Sequence, residues 1–569
     1  MGWENNGFNE VKRFNWAARK LHKRLLQLGA NETFPYGEGD QRHDEGFVSS
    51  PFLYIVQLLR YTRLEGTFIP WVLRFRKHLL DEYPLSPGKE PISDNEKLPP
   101  KWLLESVQDQ TPAAAAITAA TTAETSVSET KEPAEDQYPG LHRLDHDVRP
   151  LPDTLTATLA QNKRITAPKH WQDVRLISLT VPESLSYAPG DMIAVTPKNF
   201  ASDVDVLIET MGWQEQADTV VTLIPGESLY ALDELPSPPI RGLENYPRLT
   251  LRAFITDYLD LRAIPRRSFF STIAHYSDDE THQERLLEFI VPEYLDEFWD
   301  YTTRPRRSIL EVLQEFHSVK IPWQHAVDVF PIFRCRQFSI ASGGPLKRLS
   351  DGRTQFQLLI AIVRYQTVIK RIREGICTRY LRVLRPGSTL RVQLQRGGLH
   401  SSVSQIVGPA VLVGPGTGIA PLRSLIWEKA GLVQAFQEKH PGVVPPIGPT
   451  ILVYGGRNRA ADFFFAEEWA ELKDEIQLHV LTAFSRDQRH KVYVQDIIRE
   501  DFRLYYELLH NRNGSVYVCG SSGRMPQAIR EALIESFEHG PGTGEFNRQA
   551  AEEYLLGIER IGRYKQETW

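Results

Sequence analysis

Val411-Leu412-Val413-Gly414-Pro415-Gly416-Thr417-Gly418-Ile419-Ala420-Pro421-Leu422-Arg423-Ser424 is the stretch that decides the fold. A short apolar run breaks into three alternate glycines, and a segment able to form a helix follows. This pattern predicts a strand, a tight turn and a helix N-terminus. Glycine lets the backbone approach a pyrophosphate, and the unpaired N–H groups and positive dipole end of the next helix favour its negative charge. The spacing is Gly-x-Gly-x-Gly, which also suits a plain turn, so the surrounding sequence has to decide.

Downstream, strand-like runs at 410–413, 450–454, 477–481 and 515–519 alternate with helical patterns, as in a parallel, doubly wound sheet. Upstream, β-like runs at 336–342, 356–363 and 389–394 join the strands of 155–196, which close on Tyr187-Ala188-Pro189-Gly190-Asp191. Between about 202 and 325 long helical patterns such as Val204-Asp-Val-Leu-Ile-Glu-Thr-Met intervene. That switch predicts a helical insert inside a β-domain. The tract 108–140 is rich in Ala, Thr, Glu and Pro, cannot bury enough apolar area to order itself, and reads as a flexible linker. Before it, Phe14, Ala17, Ala18, Leu21, Leu25 and Leu28 share one face of an amphipathic helix that Gly29 should end. The expected domains are therefore an N-terminal piece at 1–107, the linker, a β-domain with its helical insert at 141–405, and an α/β domain at 406–569. Residues 47–63 read as an insertion.

A chain of 569 residues has room for three to four domains at about 150 residues each. Its net charge of −6 supplies no polybasic field for general nucleic-acid or membrane-surface binding. The three cysteines, Cys335, Cys377 and Cys519, are too far apart in sequence for a C-x-x-C metal site and too few for a disulfide framework. A reducing, intracellular setting is expected. The first ten residues lack an apolar signal core, and the longest apolar run, at 51–59, is far shorter than the ~20 residues that span a bilayer.

Two further patches carry chemistry. Arg336-Gln337-Phe338-Ser339 sits in a β-run, where an Arg fork can grip a pyrophosphate, a Phe face can cover an aromatic ring and a hydroxyl can reach a ring nitrogen. Gly375-Ile376-Cys377-Thr378 then offers a close-approach glycine and a hydroxyl ahead of a helix-like segment. Alone, each also fits a surface Arg beside a core Phe and an ordinary turn.

Taken in order, Arg-x-Phe-Ser-Ile-Ala-Ser, Gly-Ile-Cys-Thr, Gly-Pro-Gly-Thr-Gly-Ile-Ala-Pro-x-Arg-Ser, Phe484-Ser485-Arg486 with Lys491, Tyr493 and Gln495, Val518-Cys519-Gly520-Ser521 and Trp569 resemble the cytochrome P450 reductase-like diflavin enzymes. The likeness covers about 150–569 and is strongest to the NADPH-dependent diflavin oxidoreductases of cytosolic iron–sulfur assembly. It implies a ferredoxin–NADP reductase-like β-barrel FAD domain with a helical insert, an α/β doubly wound NADP domain and a partial flavodoxin-like α/β piece in front. It assigns Arg336, Gln337, Phe338 and Ser339 to FAD, with Ser339 near the flavin N5, and Gly375, Ile376, Cys377 and Thr378 to the FAD pyrophosphate. Gly414, Gly416, Thr417, Gly418 and Arg423 would receive the NADPH backbone phosphates. Ser485, Arg486, Lys491, Tyr493 and Gln495 would form the 2′-phosphate pocket. Ser339, Cys519, Glu567 and Trp569 would govern hydride transfer, with the Trp569 indole on the flavin.

Expected cofactors are FAD and NADPH, with FMN in intact relatives. The expected acceptor is an anamorsin-type iron–sulfur protein, with no nucleic acid, membrane or metal partner, in the cytoplasm or, as in the family, the mitochondrion. The chain departs from the pattern at Gly456, where relatives commonly carry a cysteine, and at Glu567, where many carry Asp. It departs further before Phe14, where no strand and hydroxyl-rich loop of an FMN site can be read. Only the acidic loop with Glu38 and Asp40 offers a remnant of one, and such a loop is more often simply solvated. A truncated flavodoxin domain, and FAD without stoichiometric FMN, are the resulting expectations. A P450 reductase-like enzyme, an FAD-only ferredoxin–NADP-type reductase and a catalytically silent partner-binding remnant remain open alternatives.

Overall fold

The computed structural model of the chain describes residues 16–35, 68–107 apart from 87 and 89–95, and 144–569 apart from 228–234, 236, 247 and 541–545. The 108–140 tract, the 47–63 insertion and the loop with Glu38 and Asp40 lie outside the described residues.

The Phe14 pattern produces a helix, Trp16–Gln27, which ends at Gly29 with φ 88° and its N–H on the Leu26 carbonyl. Leu21, Leu25 and Leu28 of its apolar face stay exposed. Phe34 connects it to a second helix, Phe68–Glu82, through ring contacts with Trp71 and Phe75 at 5.9 and 5.4 Å. Among the described residues this N-terminal part contains no parallel sheet, so a flavodoxin-like α/β piece is not visible there. The strand β1 (Trp102–Ser106) belongs elsewhere than the expected boundary at 107 puts it. It pairs antiparallel with Val221–Pro225 and buries Leu104 beside Val204, Leu207 and Phe254. An apolar Trp-Leu-Leu run must bury its side chains, and the helical tract supplies both a strand edge and a core.

After β2 (Leu155–Arg164), β3 (Val174–Val181) and β4 (Met192–Val195), the chain leaves for helices from Ala201–Met211 to Ala326–Val329, with β5 (Val221–Pro225) among them. It returns through β6 (Arg336–Ser339), β7 (Thr354–Ala361), the hairpin β8 (Arg364–Gln366) and β9 (Ile372–Glu374), and β10 (Thr389–Gln395). Six of these strands form one antiparallel sheet in the order β6-β4-β10-β2-β3-β7. Its two edges meet where Ile340 bridges to Leu358 and the Ala341 N–H reaches the Gln357 carbonyl at 2.7 Å, so the sheet closes into a barrel. Ile177, Leu179, Ile193, Phe356 and Leu390 fill it, and the helical tract keeps a separate apolar core. A buried quartet ties the two together. Arg149 grips Asp147 at 2.6 and 2.8 Å and donates to the Thr196, Pro197 and Asp257 carbonyls, while Lys198 lies 3.1 Å from the Asp257 carboxylate.

The last part is a parallel sheet of β11 (Ala410–Pro415), β12 (Thr450–Gly456), β13 (Leu478–Phe484), β14 (Ser515–Gly520) and β15 (Tyr564–Thr568), in the order β13-β12-β11-β14-β15. Its apolar strands are buried on both faces between helices, as a parallel sheet requires. Strand order reverses between β11 and β14, and this is where a doubly wound sheet opens a crevice at its carboxyl edge.

The helix Ile419–Lys439 docks this sheet directly on the barrel. Ser424 Oγ donates to the Ser342 carbonyl at 2.7 Å, and Glu428 receives the Gly344 N–H at 2.8 Å and Lys347 at 2.6 Å.

Candidate functional site

The crevice predicted by the strand order is built by the glycine turn. Gly416 takes φ 57°, which an L side chain adopts only with strain, and nothing stands within 4 Å of where its Cβ would be. Gly418 has the opposite reason for being glycine: a Cβ there would lie 2.2 Å from the Cys519 carbonyl oxygen. The turn thus opens on one side and locks against the end of β14 on the other.

Cys519 is opposite Glu567 in the β14–β15 register, and the Glu567 carboxylate accepts a short hydrogen bond from Ser339 Oγ on the barrel strand β6. Three strands from two sheets therefore meet at one point. Burial, and then the nearby charge of Asp191, push the Glu567 carboxyl above its ordinary range, against the pull of the Ser339 hydroxyl. Its second oxygen has no hydrogen-bond partner among the described residues. Burial, with the Glu567 charge adding to it, pushes the Cys519 thiol well above its usual range. A neutral, buried thiol of this kind is a packing and orienting group rather than a nucleophile. Asp191 precedes β4, its carbonyl accepts the Ile340 N–H at 3.0 Å, and its carboxylate lies 3.1 Å from His400 Nε2.

A cleft of about 260 Å3 runs along this edge, lined by Gly416 and Thr417, Gly520 and Ser521, Trp569, and the barrel's His170. Trp569 is held by its backbone, its N–H on the Gly520 carbonyl at 3.0 Å and its own carbonyl receiving the Ser522 N–H at 3.1 Å, while the residue is 52% exposed. Farther along the edge, Ser485 and Arg486 follow β13 and hang on the Gly456 and Arg457 carbonyls at 3.0 and 2.9 Å. Arg486, Lys491 and Tyr493 are exposed and Gln495 is half-buried. Arg457 joins them. Burial and the positive charge of Arg486 lower its pKa, and its guanidinium sits 4.0 Å above the Trp171 ring. Asp462 and Asp487 bind the backbone and side chains of this loop, and the two guanidinium groups remain close to each other.

On the barrel, Arg336 is exposed and donates to the carbonyls of its neighbours Arg334 and Cys335, at 3.0 and 3.4 Å. Gln337 bonds Gln395 at 2.6 Å, and Phe338 packs half-buried on the barrel core. Gly375 precedes the helix Ile376–Val383. Thr378 Oγ1 is used locally, receiving the Val363 N–H and donating to the Gly375 carbonyl, both at 3.1 Å. Cys377 is buried, and burial pushes its thiol up to about 12, with Arg336 close enough to oppose the shift. What this corner offers an anion is the helix N-terminus and the Arg336 fork; the Thr378 and Cys377 side chains face inward.

Arg423 is not at the cleft. It is 3% exposed, gripped by Glu468 at 2.7 and 2.8 Å, and donates to the Ala341 carbonyl and Gln357 Oε1 of the barrel at 2.8 Å each. Helix geometry explains the difference from the sequence expectation, because this position faces the barrel across the joint. The sequence reading also missed Asp191, His170, Trp171, Arg457 and Asp462. Of these only Arg457 carried a signal, as a cation directly following a glycine pair at a strand end.

Among the described residues no cluster could hold a metal ion, all three cysteines are free, and no helix is long and apolar enough to cross a membrane.

Comparison with known proteins agrees with this architecture. Residues 151–380 match the FAD binding domain family and residues 412–531 the oxidoreductase NAD-binding domain family. The chain is 66% identical over 565 residues to the NADPH-dependent diflavin oxidoreductase 1 of Aspergillus fumigatus, a match covering 99% of this chain and 83% of that protein. It is 61% identical over 569 residues to the protein of the same name from Emericella nidulans, covering 100% and 83%. To the Danio rerio protein it is 32% identical over 571 residues, covering 99% and 84%. With likeness at this level along nearly its whole length, the chain belongs to the NADPH-dependent diflavin oxidoreductase family.

Proposed function

We propose that the chain draws electrons from NADPH through FAD at the Ser339–Glu567–Cys519 junction and delivers them to an anamorsin-type iron–sulfur acceptor protein in the cytoplasm. The observation that carries this reading is the hydrogen bond between Ser339 of the barrel and Glu567 of β15, beside Cys519 and at the end of the cleft. FAD, when bound, accepts a hydride and gives electrons up singly.

In this reading Arg336 and the N-terminus of Ile376–Val383 hold its pyrophosphate, and Phe338 and Trp569 cover the ring. The Gly414–Gly418 turn receives the NADPH phosphates on backbone N–H groups, and Ser485, Arg486, Lys491 and Tyr493, with Arg457, select the 2′-phosphate. Glu567, whose carboxyl burial pushes above its ordinary range, stands beside Ser339 at the reacting edge, where a group so tuned can exchange a proton. Cys519 fills the floor and orients the nicotinamide by packing, and the buried strand β14 keeps water from beneath it. A carboxylate oxygen without a partner, next to an open cleft, fits a site completed by a ligand.

Anaerobic addition of NADPH to the FAD-loaded protein should bleach the flavin, and NADH should do so far more slowly. No bleaching by NADPH refutes the catalytic reading. Binding to an anamorsin-type protein, measured in solution, tests the acceptor.

A further inference from the structure

His170 belongs to the turn between β2 and β3 of the barrel, yet it lines the cleft with Gly416 and Thr417 of the parallel sheet. Its side chain is 5% exposed, and Nε2 has no hydrogen-bond partner among the described residues. Nδ1 is occupied by the Gln172 backbone, 3.1 Å from its carbonyl and 3.3 Å from its N–H. The nearest counter-charge to Nε2 is Asp462 Oδ2 at 3.7 Å. That carboxylate is already loaded by the Arg457 N–H at 2.9 and 3.1 Å and the Asn458 N–H at 2.8 Å. With Nδ1 accepting the Gln172 N–H, the neutral imidazole carries its proton on Nε2, and Asp462 lies too far away to accept it. The result is a buried donor, aimed into a cleft, with nothing to donate to, and such a group costs free energy unless a ligand satisfies it. Around it the turn is fixed: the Ala167 N–H reaches the Ala461 carbonyl at 3.0 Å and Trp171 lies under Arg457.

We propose that His170 is a barrel-supplied ligand of the bound dinucleotide, donating Nε2–H to a pyrophosphate oxygen midway between the Arg457–Ser485 rim and the Trp569 end of the cleft. The assignment rests on reading that cleft as the NADPH site. It gives the dinucleotide a contact on each sheet, so that binding it and keeping the barrel docked favour one another.

The test is equilibrium binding of NADP+ and of adenosine 2′-monophosphate, which lacks the pyrophosphate, to FAD-loaded wild-type, His170→Ala and His170→Gln proteins. His170→Ala should weaken NADP+ by about tenfold or more and leave adenosine 2′-monophosphate within about twofold, and His170→Gln, which keeps a donor at a similar reach, should recover most of the loss. Unchanged NADP+ affinity in His170→Ala overturns the proposal. So does equal weakening of both ligands, which would make His170 a joint residue only. A second readout needs no alanine variant. In 15N-histidine-labelled wild-type protein the His170 Nε2 resonance, assigned with His170→Gln, should shift with NADP+ and stay put with adenosine 2′-monophosphate; no shift with NADP+ overturns the proposal. If the wild-type protein binds adenosine 2′-monophosphate and NADP+ not at all, the NADPH reading of the cleft falls with it.

Discussion

Replacing Arg423 with methionine separates two roles for one residue. Sequence context places it at the NADPH phosphates, and the structure places it in the joint between barrel and parallel sheet. Its guanidinium makes two bonds to Glu468 and two to barrel acceptors, and lies 4.4 Å from the Phe465 ring. Methionine keeps the apolar stem and its packing. Removing one partner of a buried ion pair costs about 3–5 kcal/mol, and the low end applies because Glu468 is 24% exposed and keeps the Trp427 Nε1 donor at 2.7 Å. The Ala341 carbonyl and Gln357 amide lose a donor each, which adds roughly 1 kcal/mol if water reaches neither. A total of about 3–4 kcal/mol should lower the midpoint of the cooperative melting transition by roughly 6–16 °C in differential scanning calorimetry. NADP+ affinity should change less than about twofold, since the cleft keeps its lining. Flavin reduction by NADPH should slow, because Ser339 and Glu567 are aligned only while the two sheets are docked. An Arg423→Met protein that melts like the wild type and binds NADP+ at least tenfold more weakly would refute the joint assignment and restore the phosphate role.

Glu567 has a folded-state pKa above its unfolded one, so its contribution to stability is complete below the ordinary carboxylate range and is lost as pH rises through the raised value. Glu567→Gln should therefore gain on the wild type in urea midpoint as pH rises above the ordinary carboxylate range, with flavin reduction slowed by about tenfold or more. Lys429 is buried with Nζ on the Gly448 carbonyl and Thr450 Oγ1, and burial pulls its pKa down to about 8. The unfolded chain then holds the extra proton between about pH 8 and the ordinary lysine range, so stability rises with pH there. Lys429→Met should stabilise the protein by about 1–2 kcal/mol at pH 7, and the gain should shrink by pH 10 in chemical denaturation. Against the upward push of burial, Arg149 and Lys198 hold the Asp147 carboxyl well below the usual carboxylate range. Asp147→Asn should cost about 3–5 kcal/mol by leaving Arg149 short of its partner, read as a lowered denaturation midpoint.

Which of these residues sequence could identify follows from how local their signals are. The Gly414–Gly418 turn is legible because strand, glycines and helix follow one another, and each glycine answers a backbone demand met within a few ångströms. Arg336–Ser339 is legible as a strand for the same reason. β15 is not: Tyr564-Lys-Gln-Glu-Thr568 is mostly polar, and it is a strand because β14 leaves an edge for it to pair with. Glu567 and Trp569 could be named only through resemblance to a family. Arg423 shows the converse failure, a cation correctly placed on the helix after a phosphate turn whose direction depends on what the helix packs against. His170 and Asp191 carry no local signal, since each acquires its partner from the other side of the joint or from a distant turn.

The division between rigid and moving parts follows from the same contacts. Ser339 and Glu567 sit on different sheets, so every interaction that docks the sheets, at Arg423, Ser424, Glu428 and Ala167, holds the reacting edge in register. Under the proposed function, stability in the joint therefore doubles as alignment of the reacting edge. Trp569 is arranged differently. Both of its backbone bonds, to Gly520 and Ser522, survive rotation about the side-chain torsions, and its half-exposed indole has open cleft beside it. Under the proposed function, a ring held in this way can leave the flavin face and return without breaking a main-chain hydrogen bond. Access for nicotinamide then requires one side chain to turn, while the carboxyl, thiol and hydroxyl that define the reacting edge stay where they are.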